Sequence, residues 1–124
     1  MAGIDNILFH IDQITVDGVP IAFEDGTGTL SGAARFENEV VASASGDDFS
    51  KRKRVPTLFK CKIQFGPAVN PADFARQQGI KISARDGQSG RRAYMPNCSF
   101  GQMGDVGGGS VDVTFNVLAE IQWL

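Results

Sequence analysis

From Ser110 to Leu124 the chain alternates. Val111, Val113, Phe115, Val117, Ala119, Ile121 and Trp123 fall on one face, and Asp112, Thr114, Asn116, Glu120 and Gln122 on the other, with Leu118 the one apolar side chain among the latter. A period of two sustained to Leu124 is the pattern of a long β-strand with one dry face and one wet face. A strand of this regularity, in a Gly-rich chain without an evident catalytic set, points toward a subunit that assembles.

The chain has 124 residues, a length that a single domain with one core accommodates. Its net charge of −2 excludes a globally basic nucleic-acid binder. No apolar run approaches the roughly 20 residues of a membrane-spanning helix, so no membrane anchor is expected. Met1–His10 carries an aspartate and no lysine or arginine, unlike a secretory signal, which makes synthesis in a cytoplasm the expectation. Two cysteines, Cys61 and Cys98, read as buried thiols in a reducing compartment rather than as a disulfide. Asn97-Cys98-Ser99 fits the glycosylation sequon, which carries little weight without a secretion signal.

Earlier segments repeat the strand pattern. Ile11–Val16, the turn pair Asp17-Gly18 and Val19–Phe23 predict a hairpin, because Asp-Gly supplies the positive φ angles of a two-residue turn. Arg35–Ala42 reads as a strand with Phe36, Val40 and Val41 as its apolar members. Residues 43–57, rich in Ser, Gly, Asp and basic residues, read as a long exposed loop or hairpin arm. Leu58–Phe65 alternates again, with Phe59, Cys61, Ile63 and Phe65 inward. Asn70 as cap, Pro71 at the first position and Asp73 in the first turn predict about two turns of helix, which Gly79 can end. Ile80–Arg85 and Arg91–Ser99 then form a hairpin, and Gly101–Gly109 a flexible connector. The fold class is mostly β: an antiparallel β-sandwich or open barrel with one short flanking helix. All of residues 1–124 fall in a single domain.

Catalysis finds no support. His10 is the only histidine, and Asp47-Asp48, the only acidic doublet, sits in a Ser/Gly stretch that reads as a solvated turn. Two cysteines and one histidine do not make a zinc site. The glycine-rich runs Gly26–Gly32 and Gly104–Ser110 lead into strands rather than helix N-termini, so neither reads as a phosphate cradle. No enzyme activity, cofactor or metal is expected.

The basic run Lys51-Arg52-Lys53-Arg54 is the strongest charge feature. Six of the twelve Lys and Arg residues lie between positions 51 and 62. Three uses stay open: contact with another protein surface, a solvated loop that maintains solubility, or contact with phosphates. Only Phe49 and Phe59 flank the run, which offers few stacking platforms for nucleic acid.

Taken in order, these pieces resemble the tail tube proteins of contractile-tailed bacteriophages, particularly the Mu-like group. The carrying features are Val16-Asp17-Gly18-Val19-Pro20, the glycine-containing stretch Gly26–Ala33 and the charged arm ending in Arg54-Val55-Pro56-Thr57. They continue with Asn70-Pro71 before a short helix, the strand from Ile80, Arg91 through Cys98 with Ala93-Tyr94-Met95-Pro96, and a glycine connector before the closing strand. The resemblance covers nearly the whole chain. It implies a hexameric ring in which strands of six subunits form one continuous inner β-barrel, with rings stacked into a tube inside a contractile sheath. It further implies sheath, tape-measure and baseplate partners, passage of double-stranded DNA without specific binding, and a place in the virion after assembly in the bacterial cytoplasm. With that implication, Lys51, Arg52, Lys53 and Arg54 are expected at a subunit or ring contact. Asp112, Thr114, Asn116 and Glu120 are expected on the wet strand face that lines the channel.

Two other uses of such a chain remain at this point. A type VI secretion or other contractile-injection tube shares the ring but carries effectors. A monomeric nucleic-acid-binding barrel would use the basic arm and bind DNA in a salt-sensitive way.

Overall fold

Asp17 and Gly18 take φ angles of 51° and 82°, the pair of positive values that a tight hairpin turn demands. They join β1 (Gln13–Val16) to β2 (Val19–Pro20), with Val16 opposite Val19. The computed structural model describes residues 8–67 and 70–124; most of the N-terminal stretch Met1–His10 read above for a secretory signal lies outside them. The other strands are β3 (Thr29–Ser31), β4 (Phe36–Val41), β5 (Phe49–Arg54), β6 (Thr57–Gln64), β7 (Gln78–Arg85), β8 (Arg92–Met103), β9 (Ser110–Val117) and β10 (Gln122–Trp123), with the helix α1 (Pro71–Phe74) between β6 and β7.

Eight strands form one sheet in the order β2-β1-β7-β8-β9-β6-β3, with β10 also on β8. Every pairing is antiparallel. The sheet curls. Beyond β2 the chain crosses to β6, where Gln64 N–H donates to Ala22 at 3.0 Å and Glu24 N–H to Lys62 at 2.8 Å, with an isolated bridge between Phe23 and Ile63. The architecture is therefore mostly antiparallel β with one short helix, as the alternation predicts, but the described residues do not close a barrel.

Alternation places the core on the concave side. Ile14, Phe59, Ile63, Ile82, Met95, Val111, Val113 and Phe115 are almost wholly buried. Phe59 and Phe115 pair across β6 and β9 with ring centroids 6.4 Å apart. The helix contributes Phe74, whose ring lies 6.0 Å from Phe100 and 6.5 Å from Phe115. Asn70 caps it, accepting from Ala72 N–H at 3.1 Å. The helix is one turn rather than two, and Gly79, with φ 66°, falls inside β7 instead of ending it.

The closing strand is also shorter than its pattern suggests. It breaks after Val117 and resumes as β10, opposite the stretch of β8 that holds Pro96. Pro96 has no N–H to give to the one strand its backbone faces, and β8 shifts register against its neighbours near this point. On one side Ile80 pairs with Cys98 but Ile82 with Met95; on the other Val117 pairs with Cys98 but Gln122 with Tyr94. Leu118 N–H turns to the Asn97 carbonyl at 2.8 Å. Burial still follows the alternation through Val117 and returns at Ile121, whereas Trp123 is 42% exposed. The glycine connector begins at Gly104, since Gly101 belongs to β8 beside a bulge.

Candidate assembly interface

Two surfaces stand out, a projecting arm and the wet face of the sheet. The arm is the hairpin β4–β5, a separate two-stranded sheet in which Phe36 pairs with Arg54 and Val41 with Phe49. It starts at Phe36, earlier than the stretch 43–57 read from composition as a loop or hairpin arm, and residues 49–54 of that stretch form its second strand. Every residue of both strands is exposed. At its root Arg35 N–H donates to Gly32 at 3.0 Å, Val55 N–H to Arg35 at 2.7 Å and the Thr57 hydroxyl to Gly32 at 2.9 Å.

Strand register sorts the arm's side chains. One face carries Phe36, Asn38 and Val40 with Arg54, Arg52 and Ser50; the other carries Glu37, Glu39 and Val41 with Lys53, Lys51 and Phe49. The Arg52 guanidinium lies 3.9 Å from the Phe36 ring centroid, a cation–π contact. Lys51 and Lys53 face glutamates across the ladder, but the ion pairs of the described residues are His10–Asp25 and Lys62–Glu24, neither of them in the arm. Val40 is 74% and Phe49 65% exposed. These apolar side chains are the part of the surface that charge reading missed. A signal was present: Val40 and Val41 are adjacent, so they occupy opposite faces and leave neither face of the strand dry.

The wet face of the body is polar and mixed in charge. Asp112, Thr114 and Asn116 project from β9 opposite Lys62, Lys60 and Leu58 of β6. Lys62 also reaches Glu24 at 3.9 Å, and Asn116 donates to the Ser99 hydroxyl at 3.4 Å. Glu120 is exposed but lies in the gap between β9 and β10, so the structure does not bring it into the β9 row.

Titratable groups elsewhere serve structure. A hydrogen bond from Gln88 N–H holds the Asp86 carboxyl below the usual range, helped by the Ser89 hydroxyl. The hydrogen bond with Asp25 raises the His10 pKa. Cys61 and Cys98 are free, and burial pushes both thiols up to about 12. No group of three His, Cys, Asp or Glu side chains that could hold a metal occurs among the described residues. No helix among them is long and apolar enough to cross a membrane.

Three solved structures share this arrangement of strands. A chain in the sheath/tube terminator of the extracellular contractile injection system PVC superposes with a TM-score of 0.62 at 11% identity, over 95% of each chain. This fold occurs in contractile injection systems. A chain of the PVC sheath–tube complex in the extended state gives 0.58 at 14% identity, over 95% of this chain and 90% of the other. A chain of the tube-terminating cap of the anti-feeding prophage gives 0.58 at 12%, over 95% and 93%. No protein-family model and no curated protein matches the chain. The likeness is one of fold.

Proposed function

We propose that this chain is a structural subunit of a contractile tail: a tube protein whose copies close into hexameric rings that stack inside a sheath and give passage to double-stranded DNA. The observation that carries this reading is the arm. A two-stranded hairpin alone in water is marginal, and this one exposes both of its faces and both of its edges while presenting Val40, Val41, Phe36 and Phe49. Such an element gains its packing from another chain. The fold shared with chains of sheath–tube and terminator structures supports the same role.

In the proposed ring, Lys51, Arg52, Lys53 and Arg54 lie at subunit or ring contacts, away from the channel. Asp112, Thr114 and Asn116 face the channel, and Glu120, outside their row in the gap before β10, adds a further acidic group beside it. Phosphate contacts retard a sliding duplex, so the lining works by offering few free cations. Lys62 is paired with Glu24 and stands opposite Asp112 in the ladder, while Lys60 sits between Thr29 and Thr114. The role is mechanical rather than catalytic, with sheath, tape-measure and baseplate proteins as partners and the virion as its site.

A second reading draws on the terminator and cap among the similar structures: a ring that ends a tube, or a tube that carries effectors rather than a genome. Negative-stain electron microscopy at high concentration, beside size-exclusion chromatography, tests the proposal. Hollow tubes with six-fold rings are expected. Single rings that never stack favour a terminator. Monomers that bind DNA with strong salt dependence overturn both.

A further inference from the structure

The arm's tip and its root are chemically complementary, although they lie at opposite ends of the same hairpin. At the root is a half-open groove of about 390 Å³, with Pro56, Leu58, Val117 and Leu118 in its apolar lining and Arg35 and Arg54 as its two cations. Leu118 is 54% exposed there. At the tip, Asp47 and Asp48 immediately precede Phe49, and all three are exposed. Arg35 adds an independent sign. Its φ of 68° is a left-handed conformation that Gly or Asn adopts at lower cost, and the residue that takes it lines the groove.

We propose that the arm tip of one copy docks in the root groove of a second copy, with Phe49 against the apolar lining and Asp47 and Asp48 toward Arg35 and Arg54. The contact is heterologous: each copy offers a tip and a groove, so the interaction propagates from copy to copy instead of ending at a dimer. A chain cannot satisfy itself this way. A strand rises about 3.3 Å per residue, which sets tip and root of these six-residue strands roughly 20 Å apart. Apolar anchoring supplies the affinity, and the paired charges fix which end of the arm enters. This inference rests on the reading that the chain assembles with copies of itself, and it specifies the contact.

Two singly substituted proteins, Ser50→Cys and Leu118→Cys, test it with a short bismaleimide added after mixing, so that the Phe49 anchor is kept. Both positions are exposed, so neither change disturbs the core, and the native thiols are buried. The mixture should give a cross-linked pair in at least tenfold higher yield than either protein alone. The doubly substituted chain should give a ladder of multimers, because its own two sites lie too far apart for a short linker. Reversing the tip (Asp47→Arg, Asp48→Arg) or the root (Arg35→Glu, Arg54→Glu) should each abolish the link, and combining both reversals in one chain should restore it. Cross-linking that ignores charge reversal, or that joins position 50 mainly to position 50 of another copy, overturns the docking. Tubes or rings by microscopy without the 50–118 link overturn it while leaving the tube reading intact. Monomers throughout, with no link, overturn both.

Discussion

Gly32 lies so close to the backbone carbonyl of Pro56 that no side chain fits between them. Its φ of 67° is also one that L-residues rarely adopt, and its carbonyl receives the Thr57 hydroxyl at 2.9 Å. The arm leaves the sheet at this point, so Gly32 sets the direction in which it projects. Gly32→Ala should cost about 1–3 kcal/mol, the range for overpacking combined with left-handed strain. Urea unfolding measures it, and an unchanged midpoint would show that the arm's root tolerates a shift.

Core and arm should respond to truncation in opposite ways. Phe115 is fully buried among Phe59, Phe74 and Phe100, so Phe115→Ala should lower stability by about 3–5 kcal/mol. Phe49, exposed on the arm, should change monomer stability by no more than about 0.5 kcal/mol when replaced by serine. The same Phe49→Ser protein should nevertheless assemble poorly, as seen in sedimentation of tubes. Matching losses of stability and assembly at position 49 would assign the arm to the fold instead of to contacts between copies.

Neutralising Lys51, Arg52, Lys53 and Arg54 to glutamine should shorten tubes or reduce their yield while leaving the sheet folded, since no ion pair among the described residues involves these side chains. Circular dichroism checks the fold and electron microscopy the tubes. Normal tubes from this variant would return the basic run to the role of a solvated surface. A tube map with the run projecting into the lumen would remove it from the contacts altogether.

Sequence periodicity reached most of the body, because burial of one sheet face writes itself into alternate positions. Phe59, Cys61 and Ile63 point inward as their spacing predicts, and the Asp17-Gly18 turn forms where its φ requirement places it. What periodicity could not reach depends on neighbours across a ladder. The break after Val117 lies opposite Pro96 of β8, a residue far away in sequence, where β8 also shifts register against β7. The arm was visible as a charged, serine-containing stretch, but its extent depended on β4, whose valines at 40 and 41 resemble core residues until their pairing is known. The root groove combines residues of the arm, β6 and β9, and no single stretch of sequence announces it.

Thiol chemistry offers a test of how well the sheet is closed to solvent. Cys61 and Cys98 are buried, and with their thiols pushed up to about 12 the reactive thiolate is scarce at neutral pH. Folded protein at pH 8 should resist alkylation at both positions over hours, and addition of urea should expose both together. Labelling of Cys98 alone in native buffer would reveal local opening of β8 near Pro96.

Acid should loosen the β7–β8 hairpin first. Asp86 begins its turn, with its own N–H donating to Arg91 at 2.9 Å and Gly90 N–H donating back at 2.8 Å. Its carboxylate accepts from Gln88 N–H and the Ser89 hydroxyl, each at 3.0 Å. These bonds favour the ionised form and depress its pKa in the folded state. A depressed carboxyl contributes stability that is fully present above the unfolded value, about 3.9, and is lost as pH falls through the folded one. Wild-type stability should therefore decline below about pH 4. Asp86→Asn should be less stable than wild type at pH 7 and show a flatter decline on acidification, since its amide keeps an acceptor for Gln88 but carries no charge to titrate. Parallel curves for the two proteins, measured by urea unfolding from pH 7 down to pH 3, would place the acid sensitivity in other carboxylates and leave Asp86 as a turn residue whose charge is incidental.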